Sequence, residues 1–233
     1  MMSHEPEPSP TTCGAPLLQR GFDPYRDNAG TLVGIAGEDF AVIGSDLRLS
    51  LGFSIFSRDQ SKLFKLTDRA VLGSSGCWAD CVSLNKFLEI RLKTYGFEHN
   101  QPMSTKAIAQ CCSTMLYSRR FFPYFAWNIL AGIDEDGKGA IYSYDPVGNF
   151  ERVPYQAAGN SGPQVLPFLD SIVGKKNQSN PDKAPITKER AINLIKDIFI
   201  SAAERDITVG DGTHIIVITK DGLEEIRLDL RKD

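Results

Sequence analysis

Three pairs of short apolar runs constrain the fold of this chain more than any other feature. The pairs occupy residues 31–36 and 40–45, 127–133 and 139–144, and 214–219 and 223–230. The second and third pairs are joined by segments that contain Asp-Gly, a dipeptide typical of β-hairpin turns. Runs of this length that are bounded by turn residues predict antiparallel strands. The sequence therefore predicts antiparallel β-structure at the beginning, in the middle and at the end of the folded region.

Four helical patterns lie between those pairs of strands. They cover residues 78–95, 104–118, 162–173 and 188–203. Ser104 and Thr187 are natural N-caps, whereas Pro167 interrupts the third pattern. The order of strands, two helices, strands, two helices and strands predicts one α+β domain. Two stacked antiparallel sheets with a pair of helices on each outer face would satisfy this order.

Composition excludes several classes of protein. Hydrophobic residues make up 42% and charged residues 24% of the 233-residue chain, which is typical of a globular protein. The net charge of −3 gives no general attraction to nucleic acid or to an anionic membrane. The chain contains no apolar run of the length that spans a bilayer. We therefore expect neither a nucleic-acid nor a membrane partner.

Cysteine and histidine spacing gives no metal signature. The 5 cysteines are an odd number, the 3 histidines are scattered, and no CxxC or HxxxH motif occurs. Cys77 and Cys81 are expected to pack rather than react, and one of Cys111 and Cys112 should face the core. The acidic residues 134–138 lack the alternating ligands and the distal Glu of a calcium loop, which favours a hairpin. We expect no metal and no cofactor.

Six long stretches of the chain match a single family. They are residues 30–42, 44–48, 118–124, 132–140, 144–148 and 201–206. On these stretches the chain resembles the proteasome β-type subunits, from about residue 21 to its end. The stretches 119–124 and 145–148 look like a class of these subunits that lacks proteolytic activity. The resemblance implies the N-terminal nucleophile hydrolase fold, a four-layer αββα sandwich.

The position of the family's nucleophile is occupied by glycine. Active members use a threonine that becomes the first residue of the mature chain, and they place an aspartate and then a lysine at equal spacings after it. Here Asp46 and Lys62 are 16 residues apart, and the residue at the same distance before Asp46 is Gly30. Thr31 lies one residue further on, and such a slip along a strand turns a side chain to the opposite face. The Asp46 and Lys62 side chains should form a partly buried ion pair.

The resemblance assigns two further positions of a vestigial site. Gly76 matches a glycine that contributes to the oxyanion site, and Asp206 matches a supporting aspartate. Asn160 and Val209 stand where active members have serines. We therefore expect no catalytic residue, and Gly30, Asp46, Lys62, Gly76 and Asp206 to mark the remains of the site. His214 begins a strand, and the sequence implies no Cys or Ser partner for it.

The resemblance implies a structural role in the proteasome. Residues 1–20 would be a prosegment that is removed in the mature subunit, and residues 21–233 a single β-type domain. The subunit would be a non-enzymatic part of a threonine endopeptidase complex, in a hetero-oligomer of about 28 α-type and β-type subunits of the cytoplasm and nucleus. The aromatic run 121–125, with Arg119 and Arg120, is either a contact patch or the entry to a core strand. Two alternatives are an active endopeptidase subunit that uses Thr31 and an unrelated α+β binding module.

Overall fold

A computed structural model describes residues 24–179 and 184–233 of the chain. The strands are β1 (Thr31–Ala36), β2 (Phe40–Asp46), β3 (Leu49–Leu51), β4 (Ser54–Ser57), β5 (Leu63–Thr67), β6 (Ala70–Gly76), β7 (Ala126–Ile133), β8 (Gly139–Tyr144), β9 (Phe150–Val153), β10 (Tyr155–Gly159), β11 (Gly212–Thr219) and β12 (Gly222–Asp229). The helices are α1 (Trp78–His99), α2 (Thr105–Tyr117), α3 (Gly162–Ile172) and α4 (Lys188–Ala203). The predicted prosegment, residues 1–20, lies outside the described residues.

Two five-stranded antiparallel sheets form the centre of the domain. The strand order is β10-β1-β2-β11-β12 in the first sheet and β5-β6-β7-β8-β9 in the second. Strands β3 and β4 form a separate two-stranded hairpin. The strands of the first sheet therefore come from the beginning, middle and end of the chain, so residues that are far apart in sequence meet at its ends.

Alternating side chains of the sheets fill three apolar layers. Val33 on β1 packs with α3 and α4 on the outer face of the first sheet, whereas Leu32 faces the second sheet. Leu72 and Leu130 of the second sheet pack against α1 and α2. This period-two alternation places a helix pair on each outer face and apolar side chains between the sheets. The four-layer αββα sandwich of the α+β class is thus confirmed.

Several local predictions are also confirmed. Strand β1 has the predicted bounds, and the chain turns back at residues 37–39 into β2. The side chain of Ser104 accepts a hydrogen bond from the backbone N–H of Ala107, and that of Thr187 accepts one from Arg190. Both predicted N-caps therefore begin their helices as expected.

The predicted interruption at Pro167 was wrong, because α3 continues through that residue. The missing N–H of Pro167 affects only the carbonyl of residue 163, which lies in the first turn of the helix. Helix α1 extends to His99, four residues beyond its predicted end. Among the described residues, no helix is long and apolar enough to cross a membrane.

Candidate functional site

Gly30 and Thr31 face opposite sides of the first sheet. The backbone of Gly30 has φ +105°, and a Cβ atom built on it would lie 2.4 Å from Cε of Lys62. The Thr31 side chain is fully buried, and its Oγ1 accepts a hydrogen bond from the backbone N–H of Ser161 at 3.1 Å. Gly30, which directly precedes β1, therefore faces Lys62, whereas Thr31, the first residue of β1, faces the start of α3.

A buried ion pair holds the lysine of the site in place. Nζ of Lys62 lies 2.9 Å from Oδ2 of Asp46, and the two side chains are 1% and 0% exposed. The same ammonium donates to the carbonyl of Arg48 at 2.7 Å. The other carboxylate oxygen of Asp46 accepts the backbone N–H of Thr31 at 2.8 Å. The predicted Asp46–Lys62 pair is therefore present, and it is more deeply buried than the sequence suggested.

Burial and pairing act in opposite directions on the Asp46 carboxyl. Removal from water raises the pKa of Asp46 above its ordinary value, while the Lys62 ammonium and the Thr31 N–H lower it. The observed geometry provides a cation and a backbone donor, which are the partners that a buried carboxylate needs. Loss of either partner would leave charge in the protein interior without compensation.

The segment upstream of β1 is bonded across the site. The backbone N–H of Asn28 donates to the carbonyl of Gly76 at 2.9 Å, and the N–H of Gly76 donates to the carbonyl of Ala29 at 3.3 Å. The side-chain oxygen of Asn28 accepts the N–H of Trp78 at 3.0 Å, where α1 begins. Gly76 is the residue that the family resemblance assigns to the oxyanion site, and its N–H is engaged by the chain itself.

Tyr25 anchors the same segment on the aromatic run 121–125. Its ring lies 5.8 Å from that of Phe122 and 5.5 Å from that of Phe125, measured between centroids, and its hydroxyl donates to the carbonyl of Pro123. Phe121 is 100% exposed, whereas Tyr124 is buried. The run is therefore part core and part surface: Tyr124 leads into the core before β7, whereas a contact patch at Phe121 stays a prediction.

Asp206 accepts hydrogen bonds from two hydroxyl groups that the sequence did not predict. Oγ of Ser161 donates to one carboxylate oxygen of Asp206 at 2.5 Å, and Oγ1 of Thr208 donates to the other at 2.7 Å. Asn160 and Val209, the two positions where serines were expected to be missing, do not supply these hydroxyls. Because the N–H of Ser161 binds Thr31, Asp206 supports the start of α3 and, through it, Thr31.

His214 has a serine partner that sequence reasoning missed. Nδ1 of His214 lies 2.7 Å from Oγ of Ser61, and Nε2 lies 3.0 Å from Oε2 of Glu225. Ser61 is 153 residues away in sequence, so no local spacing could have indicated the contact. Only the packing of the segment before β5 against β11 brings the two side chains together.

The described cysteines have the surroundings of packing residues. Burial raises the pKa of the Cys112 thiol to about 12, and it also raises the pKa of Cys81. Both thiols are therefore held in the unreactive protonated form at neutral pH. Cys112 is buried and Cys111 is half-buried, as the prediction required. Within residues 24–179 and 184–233, no three His, Cys, Asp or Glu side chains are grouped as metal ligands would be.

Lys62 and Asp46 supply a cation and a carboxylate, but the residue beside them at position 30 has no hydroxyl group. The nitrogen of Thr31 is a peptide nitrogen that donates to Asp46, so it has no free lone pair to act as a base. The space in which a side chain at position 30 would stand is filled by the stem of Lys62. Four of the five predicted site positions, Gly30, Asp46, Lys62 and Gly76, lie together, and Asp206 joins them through Ser161.

This chain is similar to proteasome subunits over most of its length. The family model described as "Proteasome subunit" matches residues 27–218. Proteasome subunit beta type-1 of Danio rerio is 49% identical over 216 residues, covering 93% of this chain and 91% of the relative. The subunit of that name from Drosophila melanogaster is 53% identical over 214 residues, covering 91% of each chain. The Arabidopsis thaliana subunit of that name is 47% identical over 219 residues, covering 91% of this chain and 97% of the relative.

Replacing Lys62 should destabilise the domain strongly. In Lys62→Met the Asp46 carboxylate stays buried without its cation, which we expect to lower the free energy of unfolding by about 3–5 kcal/mol. The double variant Asp46→Asn/Lys62→Met should recover part of this loss because both charges are gone. Urea unfolding of the full-length chain measures the three free energies. Lys93→Met, which removes an exposed pair with Glu89, is the control and should change little. An equal loss in the two lysine variants would contradict the assignment.

Gly30→Ala should lower the free energy of unfolding more than Gly52→Ala does, because Lys62 crowds position 30. Both glycines have positive φ, but a Cβ at Gly52 would have nothing within 4 Å. Gly52→Ala should therefore cost about 1 kcal/mol of unfolding free energy, from backbone strain alone. Gly30→Ala should cost at least about 1 kcal/mol more, because its φ of +105° is further from the left-handed helical region and the buried, ion-paired stem of Lys62 must also shift. Equal costs in urea unfolding would show that Lys62 does not fill the space beside Gly30.

Proposed function

The chain belongs to the proteasome subunit family, and on this premise we propose that it is a β-type subunit of the 20S core without peptidase activity of its own. Its beta type-1 relatives support this subunit type. Gly30 is the observation that carries the proposal. The backbone position that faces the Lys62–Asp46 pair has no hydroxyl, and nucleophilic catalysis requires an attacking atom beside its activating groups. Lys62 and Asp46 would then serve only to stabilise the fold.

Thr31 is the alternative nucleophile, and its surroundings disfavour it. Its hydroxyl is fully buried and bonded to the Ser161 N–H, on the face of the sheet away from Lys62. A threonine peptidase also needs the free amine of its first residue as a base. The Thr31 nitrogen instead donates to Asp46 within a continuous chain. Cleavage before Thr31 would have to be followed by a rotation of β1 to bring the hydroxyl to Lys62.

The upstream segment gives the silent site a structural use. We infer that residues 1–20 are trimmed as a prosegment, that the mature chain starts near Gly21, and that residues 24–30 remain in place. Asn28 and Ala29 pair with Gly76, and Tyr25 packs on Phe122. The retained segment thus occupies donors and acceptors that would otherwise be available to a peptide in the cleft. Its side chains also fix the start of α1.

In the assembly, the subunit would complete the β ring and the wall of the proteolytic chamber. Its partners would be the other α-type and β-type subunits of a hetero-oligomer of about 28 chains, which degrades proteins marked by ubiquitin in an ATP-dependent pathway. Phe53 and Phe97 are 97% and 87% exposed on the isolated chain. Large exposed aromatics of this kind are typical of protein interfaces. We place this role in the cytoplasm and nucleus.

A threonine-directed covalent inhibitor should leave this chain unmodified. Particles purified through an affinity tag on the chain would be treated with the inhibitor, and each subunit would then be analysed by intact mass. We expect adducts on active β subunits of the same particle and no added mass on this chain, since its position 30 has no hydroxyl. Those labelled neighbours are the internal positive control.

Two results would contradict the proposal. An adduct mapped to Thr31 would establish the active endopeptidase alternative. Elution of the tagged chain from native extract as a 25.7 kDa monomer, with no co-purifying subunits, would contradict the assembly role and favour an independent binding module.

A further inference from the structure

Ser61, His214 and Glu225 form a continuous chain of hydrogen bonds outside the threonine-type site. Ser61 precedes β5, His214 lies on β11 and Glu225 on the edge strand β12. The Ser61 hydroxyl is 2.7 Å from Nδ1 of His214, and the Glu225 carboxylate is 3.0 Å from Nε2. Glu225 pairs directly with Ile216 across the two strands, so it faces the same side of the sheet as His214.

The hydrogen-bond partners fix the direction of the chain. An ionised carboxylate only accepts hydrogen bonds, so Nε2 of His214 carries the proton that is shared with Glu225. In the neutral ring Nδ1 is then the acceptor, and the Ser61 O–H donates to it. A hydroxyl, a base and a carboxylate that orients the base are therefore connected in series, as in serine hydrolases. The two ring nitrogens have exchanged partners, because Nδ1 rather than Nε2 faces the hydroxyl.

Charges around the cluster keep its members in the required protonation states. Burial lowers the pKa of His214, with Arg227 and Lys65 acting in the same direction and Glu225 opposing them. The Lys65 ammonium, which forms an ion pair with Glu225, is the main cause of the lowered pKa of Glu225. At neutral pH the histidine is thus a free base and the glutamate is ionised.

The cluster has two further features, which are the partial exposure of Ser61 and a neighbouring buried hydroxyl without a partner. Ser61 is half-buried in the isolated chain, whereas His214 is only 4% exposed. Ser45 stands opposite His214 on β2, and its buried hydroxyl has no hydrogen-bond partner among the described residues. The cluster therefore joins the hydroxyl of a half-buried serine to a shielded base, and an unused donor lies opposite that base on the same face of the first sheet.

We propose that Ser61 is a base-activated nucleophile that accepts an acyl or phosphonyl group from a small activated ester or fluorophosphonate. This inference does not depend on the proposed function, since the three residues belong to one chain. In the step, Oγ of Ser61 bonds to the carbonyl carbon or phosphorus, and the alcohol or fluoride leaves. The hydroxyl proton passes to Nδ1 of His214 and from there to the leaving group or to water.

Labelling with a fluorophosphonate tests the proposal directly. The tagged full-length chain, recovered from extract in the assembly that it forms, would be treated with the probe and examined by intact mass and peptide mapping. We expect one adduct, on Ser61, and none in Ser61→Ala. His214→Gln should slow labelling about 100-fold, the usual size of a general-base contribution. The rate should also fall at acidic pH, where His214 becomes protonated.

Two further variants keep the test informative if His214→Gln fails to fold. Glu225→Gln changes a side chain at the partly exposed edge and should slow labelling while the elution volume and circular dichroism stay unchanged. Ser83→Ala removes another half-buried serine, on α1, and should label like the unaltered chain. Absence of an adduct on Ser61, under conditions that fully label a known serine hydrolase, would overturn the proposal. Equal labelling rates in the unaltered, His214→Gln and Glu225→Gln chains would also overturn it.

Discussion

The ammonium of Lys62 is the group around which the candidate site is organised. It binds the Asp46 carboxylate and the carbonyl of Arg48 in a region that water does not reach. A buried charge is tolerated only when its partners are complete, so β2, β3 and the segment before β5 are held together by this requirement. The stem of the same side chain lies where a Cβ at position 30 would stand. The absence of a side chain at Gly30 therefore leaves the room that the buried stem of Lys62 occupies.

The chain upstream of β1 adapts to this arrangement. Its backbone pairs with Gly76, its Asn28 side chain caps α1 and its Tyr25 ring packs on the aromatic run 121–125. Helix α1 has no side-chain cap from its own N-cap residue, Cys77, so Asn28 supplies the acceptor that the first turn lacks. Residues 25–29 are therefore part of the packed domain in this structure.

The sequence predicted the features that have a local signal. Turn dipeptides indicated the hairpins and apolar periodicity indicated the helices, whereas Gly30 was assigned through the spacing that the family resemblance implies. The strands that were missed are β3, β4, β5, β6, β9 and β10. Strand β4 is short and half polar, and β6 ends in Gly-Ser-Ser-Gly, which has no strand pattern. The contacts of Ser61 with His214 and of Ser161 with Asp206 join residues far apart in sequence. Their geometry depends on how the sheets and α3 pack, which no spacing along the chain records.

The identity of the first residue of the mature chain decides whether residues 24–30 are retained across the site. Top-down mass spectrometry of the subunit from purified particles would determine that residue without any inhibitor or substitution. We expect an N-terminus before Pro24, with residues 24–30 retained and bonded across the site. A mature chain that begins at Thr31, with a free α-amine beside Asp46, would contradict it.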